Sequence, residues 1–348
     1  MMKKILTTIF IACIISSGMA QEKQNPWGLV YDDALTENVS GAVQLRPVTY
    51  DVDGITAAAN VYLPAEYDAN KKYPAIVVSH PNGGVKEQVS GMFAQKLAEA
   101  GFIAIAFDAR YQGASGGEPR GTDKPANRIE DIRGMIDFIS GYPGVDKDRI
   151  GAFGICGGGG YTLGAAQSDK RIKAVATLSM FNTGRVRRNG YCDSQIQTIQ
   201  ERLAQASTAR QQEAETGVTV YPPKRATPTQ EEIDAMPFEL YREGIFYYQT
   251  SKYAHANNGS SNPVSNMLDL MTWDATDRMP LINQPLLMIV GEKADSRYMT
   301  DEAMEKATGT VDKSIFIVPG ATHIQTYYVP EYVEQEREKV VDFFQTKL

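Results

Sequence analysis

The sequence predicts an α/β fold, a mostly parallel central sheet flanked by helices, with a mainly helical cap insertion between two strands. Three observations carry this. The apolar runs Ala75–Ser79, Phe102–Phe107, Arg149–Ile155 and Ile172–Ser179 have strand length and are unbroken, as in strands buried on both faces. Segments with helical patterning separate them, at Gln88–Ala100, Asn127–Ser140 and Gly157–Gln167. The alternation stops near Met180 and resumes only at Pro285–Val290, so the residues between are an insertion and not a second sheet.

The elements follow in order. Met1-Met2-Lys3-Lys4 is a short basic start, Ile5–Ile15 a mostly apolar run, and Ser16-Ser17-Gly18-Met19-Ala20 a small-residue exit; residues 1–20 therefore read as a signal peptide cleaved after Ala20. Residues 21–42 read as an irregular leader. Val43–Asp51 and Ile55–Leu63 read as two strands joined by an Asp53-Gly54 turn. The core is expected over 43–181 and 283–348, the cap over 182–282. After the cap come a strand at Pro285–Val290, a helix near Asp301–Ala307, a strand at Ser314–Val318 and a last helix from about Glu331 to Gln345. The cap holds Arg185, Arg187 and Arg188, a Gln/Ala/Glu-rich stretch, and the aromatic run Phe246-Tyr247-Tyr248.

Composition narrows the function. With 43% hydrophobic and 22% charged residues the chain is ordinarily globular. Loss of residues 1–20 removes Lys3 and Lys4 and leaves 33 basic against 42 acidic residues, a net charge of −9. Such a chain, with no basic run, is a poor match for nucleic acid or anionic membrane surfaces. The apolar start is too short to span a bilayer, so the expectation is an exported protein, periplasmic or secreted, with no stable membrane insertion after cleavage. Cys13 leaves with the signal, and Phe10-Ile11-Ala12 before it is a poor lipidation motif. Cys156 and Cys192 remain and could form one disulfide. Oligomeric state leaves no trace in the sequence.

The chemistry centres on Gly154-Ile155-Cys156-Gly157-Gly158, a G-x-S-x-G nucleophile elbow with cysteine for serine. A nucleophile on a sharp strand-to-helix turn leaves no room for side chains two positions either side, hence the glycines. The helix N-terminus beyond would favour thiolate. A phosphate loop is the competing reading of four successive glycines, but neither a G-x-G-x-x-G fingerprint nor a Walker lysine is present. Of three histidines, His323 lies between the last strand and the last helix and is the expected base. His80 ends a strand and should order the loop Pro81-Asn82-Gly83-Gly84; His255 falls in the insertion. Asp295, in the turn Gly291–Asp295, is the expected orienting acid; Glu292, directly at the strand end, has less loop with which to reach the histidine. The oxyanion donors are expected from the N–H groups of Gly157 and Asn82, since Pro81 has none.

These motifs together resemble the α/β-hydrolase superfamily: the Asp108–Gly117 loop, the elbow, the Gly291–Asp295 turn and the Gly320–His323 turn, in this order. The cysteine elbow resembles its dienelactone-hydrolase-like branch, although the long cap departs from those compact enzymes. The resemblance implies neither metal nor organic cofactor. It implies a small-molecule acyl substrate, and a hydrolase cleaving a carboxylic ester, lactone or thioester through Cys156, His323 and Asp295 by way of an acyl-enzyme. Tyr247 and Tyr248 are the candidate substrate-binding residues. The competing readings are an exported binding protein on a hydrolase scaffold and a peptidase or acyltransferase using the same triad.

Overall fold

The computed structural model describes residues 25–224, 226–259 and 261–348; the expected signal peptide, residues 1–20 with Cys13, lies outside these residues. Residues 25–42 hold no helix or strand. Eight strands then form one sheet: β1 (Gln44–Val52), β2 (Ile55–Leu63), β3 (Tyr73–Ser79), β4 (Ile103–Phe107), β5 (Val145–Ile155), β6 (Ile172–Leu178), β7 (Leu286–Gly291) and β8 (Lys313–Val318). Their order is β1-β2-β4-β3-β5-β6-β7-β8. The pairs β1/β2 and β2/β4 are antiparallel, and every pair from β4 to β8 is parallel. The first hairpin closes where expected, with Asp53 and Gly54 at φ 53° and 77°, the left-handed pair that matches strand twist.

The helices α1 (Val89–Glu99), α2 (Pro125–Ser140) and α3 (Gly157–Ala166) alternate with the parallel strands. Between β6 and β7 the chain makes α4 (Thr183–Asn189), α5 (Ile199–Thr216), α6 (Gln230–Asp234), α7 (Glu239–Ile245), a π-helical turn (Phe246–Thr250) and α8 (Met267–Leu270), with no strand among the described residues. After β7 come α9 (Arg297–Lys306) and, after β8, α10 (Pro330–Lys347). Helix α9 begins earlier than the expected Asp301, immediately after Ser296.

β3, β4 and β7 explain the unbroken apolar runs: residues 75–79, 103–107 and 286–291 are buried throughout. Strands covered on both faces have no solvent side for polar residues to occupy. Their carboxyl ends, where β3, β5, β7 and β8 give way to loops, carry the expected site residues. No described helix is long and apolar enough to cross a membrane.

Candidate active site

Cys156 stands between β5 and α3 at φ 53°, ψ −122°, a backbone region that costs a non-glycine residue energy. Its neighbours enforce the conformation. A Cβ on Gly154 would lie 2.5 Å from the Gly158 carbonyl and from Thr162 Oγ1. One on Gly158 would lie 2.5 Å from the carbonyl oxygens of Ser79 and His80. One on Gly157 would come within 2.0 Å of Asn82 Oδ1. The elbow is thus wedged against the loop after β3, which puts the expected oxyanion donors, the N–H groups of Gly157 and Asn82, beside Cys156, where both favour the ionised form of its thiol. The Asn82 side chain is fixed from the other side by donating to Thr183 Oγ1 at 2.8 Å. His80 orders this loop, its Nδ1 2.7 Å from the Pro81 carbonyl and its Nε2 accepting the Ala109 N–H at 3.1 Å. Burial pushes the His80 imidazole down to about 3, so it is a neutral structural histidine. His255 is half-buried in the insertion, where its Nδ1 accepts the Asn257 N–H at 3.1 Å.

His323 is buried beside the elbow, but it does not meet the sulfur directly. Its Nε2 lies 2.9 Å from the hydroxyl of Tyr327, a residue that lines the same cavity as Cys156 and favours the ionised form of its thiol. Its Nδ1 lies 2.5 Å from Ser296 Oγ. Phe181 stands edge-on to the imidazole, with ring centroids 6.4 Å apart. Phenol, imidazole and serine form a hydrogen-bonded line, with the phenol at the cavity that Cys156 also lines.

The acid expected to orient His323 is elsewhere. The Asp295 carboxylate accepts the Tyr191 hydroxyl at 2.6 Å and the Leu240 N–H at 3.2 Å, and makes no hydrogen bond to His323. The cause is local. Asp295 and Ser296 are consecutive, and only one of them faces the imidazole. The carboxylate goes to the donors that most need it, a tyrosine hydroxyl and the open N–H of the first turn of α7. Glu292 is not the alternative either, since its Oε2 accepts the Gly320 N–H at 2.8 Å and ties down the turn before the histidine.

The missing carboxylate changes the electrostatics. Burial pushes the His323 imidazole down to about 3, with no anion holding it up. Burial pushes the Cys156 thiol up; the hydrogen bonds from Tyr327, Gly157 and Asn82 oppose this and do not overcome it. Burial thus disfavours the charged form of both groups, against the thiolate expected from the helix N-terminus. Cys156 and Cys192 are both free.

A cavity of about 460 Å³ opens over Cys156. Asn82, Gly83 and Tyr327 form its floor, and Val186, Leu240, Tyr241, Ile245 and Tyr248 of the inserted segment wall it. Tyr248 lines this space and its buried hydroxyl has no partner. Tyr247 does not line it: it is buried behind, its hydroxyl accepting the Val89 N–H at 3.2 Å and its ring 5.3 Å from that of Tyr327. Of this consecutive pair, only Tyr248 lines the cavity. Two residues that the sequence reading passed over, Ser296 and Tyr327, hold His323. Tyr327 carried a usable signal, since it lies four residues past the histidine, where one helical turn brings side chains together.

Comparison with known proteins identifies the family. The family model described as X-Pro dipeptidyl-peptidase (S15 family) matches residues 53–269. The chain is 38% identical over 297 residues to the uncharacterized protein YcjY of Escherichia coli K12, covering 84% of this chain and 95% of that one. It is 34% identical over 163 residues to the thiohydrolase aneE of Aspergillus aculeatus, covering 46% of this chain and 50% of that one. The crystal structure of the hypothetical protein PA2218 from Pseudomonas aeruginosa superposes with a TM-score of 0.81 at 33% identity, covering 95% of this chain and all (100%) of that one.

Proposed function

This chain belongs to the X-Pro dipeptidyl-peptidase (S15) family within the α/β-hydrolase superfamily, and on that premise we propose that it is a cysteine hydrolase of carboxylic esters or thioesters, acting through an acyl-enzyme on Cys156. Hydrolase or acyltransferase chemistry comes with the scaffold. The observation that supports the finer reading is that Cys156, Asn82 and Tyr327 share one cavity, with Asn82 packed against Gly157 and the Tyr327 hydroxyl hydrogen-bonded to a buried histidine.

With the ring proton on Nδ1, donated to Ser296, the His323 Nε2 lone pair accepts from the Tyr327 hydroxyl. As Cys156 Sγ attacks the carbonyl carbon, its proton passes to the Tyr327 oxygen while the phenol proton passes to Nε2. Tyrosine ends neutral, as it must, because burial holds its own ionisation far above the usual range. The carbonyl oxygen becomes an oxyanion between the N–H groups of Gly157 and Asn82. The C–O or C–S bond then breaks, the leaving group takes a proton back along the same line, and water hydrolyses the acyl-enzyme. His323 becomes an imidazolium in the attack step, offset by the oxyanion formed with it and by the Nδ1–H bond to Ser296. Lactones fit the same steps. The name aneE carries, thiohydrolase, lends weight to thioesters.

Amino-terminal peptidase action, the activity the family description names, fits less well. Recognition of a free α-ammonium calls for carboxylates, and no Asp or Glu lines the cavity. Export after cleavage behind Ala20 belongs to the same proposal, and amino-terminal sequencing of the mature protein tests it.

The deciding experiment combines p-nitrophenyl acetate turnover with thiol alkylation. Cys156→Ala should abolish turnover in a protein that remains folded; near-native turnover would remove Cys156 from the chemistry. Because burial disfavours the charged form of both groups, alkylation of Cys156 should climb steadily from about pH 6 to 9. A rate already flat across that interval would mean a preformed thiolate–imidazolium pair.

A further inference from the structure

We infer that the substrate carries an anionic group, a carboxylate or phosphate, and that Arg187 receives it; this rests on the acyl chemistry assigned to Cys156. The three arginines of α4 have separate fates. Arg185 is committed to Asp193 at 2.8 Å and to Glu302. Arg188 is committed to Asp274 at 3.0 Å and to the carbonyl of Trp273. Arg187 has no carboxylate within salt-bridge distance and no side-chain hydrogen bond among the described residues, yet it lines the same cavity as Cys156.

The surroundings sharpen this. Among the described residues Arg187 is the one charged residue lining that cavity, whose walls are otherwise apolar or neutral. A second cavity of about 380 Å³ adjoins it, sharing Val186, Arg187 and Tyr241, and it too has no Asp or Glu in its lining. The cation there, Arg202, spends its guanidinium on the carbonyls of Arg188 and Gln195, at 2.6 and 2.9 Å. In a chain whose formal net charge is −7, the space over the nucleophile is lined by a cation and no anion. An unpaired half-buried guanidinium costs stability unless something anionic arrives, and its planar fork suits a carboxylate or phosphate. A purely structural role at the end of α4 would place it on the last carbonyls of the helix, and it makes no such bond.

The test uses matched substrates on the full-length mature protein. One pair places the charge on the acyl side: mono-(4-nitrophenyl) glutarate against 4-nitrophenyl valerate. A second pair places it on the leaving group: the butyryl thioester of 3-mercaptopropionate against its methyl ester. A third replaces that carboxylate by a phosphate monoester. The kcat/KM ratio of anionic to neutral substrate should exceed unity by about tenfold or more in at least one pair, and that pair identifies the side and the anion. Arg187→Gln should bring the ratio towards one, and Arg187→Lys should keep part of it. Ratios near one in every pair, or a ratio unmoved by Arg187→Gln, overturn the inference. Alkylation separates this from the underlying chemistry. Iodoacetate should modify Cys156 faster relative to iodoacetamide in the wild type than in Arg187→Gln. If neither reagent labels Cys156 and neither member of any pair is turned over, the nucleophile assignment itself has failed. If both reagents label it with an Arg187-independent ratio, only the anion site has.

Discussion

The two halves of the site are held by different physics. On the nucleophile side, backbone packing leaves one solution. Cys156 is forced to φ 53° between Gly154 and Gly158, whose absent side chains would run into carbonyls of β3 and α3. On the base side, hydrogen bonds choose among neighbours. His323 takes Ser296 and Tyr327, while Asp295, one residue away, takes Tyr191 and the first turn of α7. Steric exclusion is indifferent to small rearrangements, whereas a hydrogen-bonded choice shifts when one donor is removed. The nucleophile side is therefore built for rigidity, and the base side couples the chemistry to the cap.

Tyr327 is where the halves meet, and its removal should have the largest effect. Tyr327→Phe deletes the hydroxyl between Sγ and Nε2 and leaves the ring packed against Tyr247. A proton-transfer group of this kind is worth roughly 10²-fold or more, so kcat for a p-nitrophenyl ester should fall by about that factor with little change in KM. Unchanged kcat would mean that His323 reaches the sulfur unaided, and the base side would then be as self-sufficient as the elbow.

A smaller effect should separate Ser296 from Asp295. Ser296→Ala removes the partner of Nδ1, lets the ring turn, and should lower kcat by about tenfold. Asp295→Asn swaps an acceptor for a donor opposite the Leu240 N–H, so α7 should loosen and KM should rise more than kcat falls. The opposite split, kcat lost with Asp295→Asn and kept with Ser296→Ala, would restore Asp295 as the orienting acid and show that the carboxylate moves to His323 during turnover.

The same division explains what was legible in the sequence. The sheet, the hairpin at Asp53-Gly54 and the elbow could be read because their causes are local: unbroken apolar runs, a left-handed turn pair, glycines two residues either side of a strained one. The partner of His323 could not, because choosing between Asp295 and Ser296 depends on donors contributed by Tyr191 and Leu240, far away in sequence. Of the Tyr247–Tyr248 pair, Tyr248 lines the cavity and Tyr247 packs behind it, a difference that depends on partners such as Val89 and Tyr327, far away in sequence. The arginines show it again: three in four positions look alike, and only the placement of Asp193, Glu302 and Asp274 leaves Arg187 over the nucleophile.

The smallest expected effect lies behind the base side and concerns stability alone. Helix α10 packs on β6, β7 and β8 and on the short turn that carries Tyr327. Glu336 on this helix is 0% exposed, and neither carboxyl oxygen has a hydrogen-bond partner. Burial alone holds its carboxyl well above the usual carboxylate range. A carboxyl whose folded-state value is raised binds its proton more tightly folded than unfolded, so it weakens the fold as pH rises above about 4.3 and ceases to do so below that. Glu336→Met keeps the length and removes the orphaned oxygens. It should stabilise the protein at pH 7 by about 1–3 kcal/mol, a few degrees in Tm, and the gain should shrink as the pH is lowered towards 4. Thermal melts of both proteins at several pH values read this directly. A lower Tm for Glu336→Met at pH 7, or a gain that does not change with pH, would mean that the carboxyl has a partner holding α10 against the base loop. The base side would then be as tightly determined as the elbow.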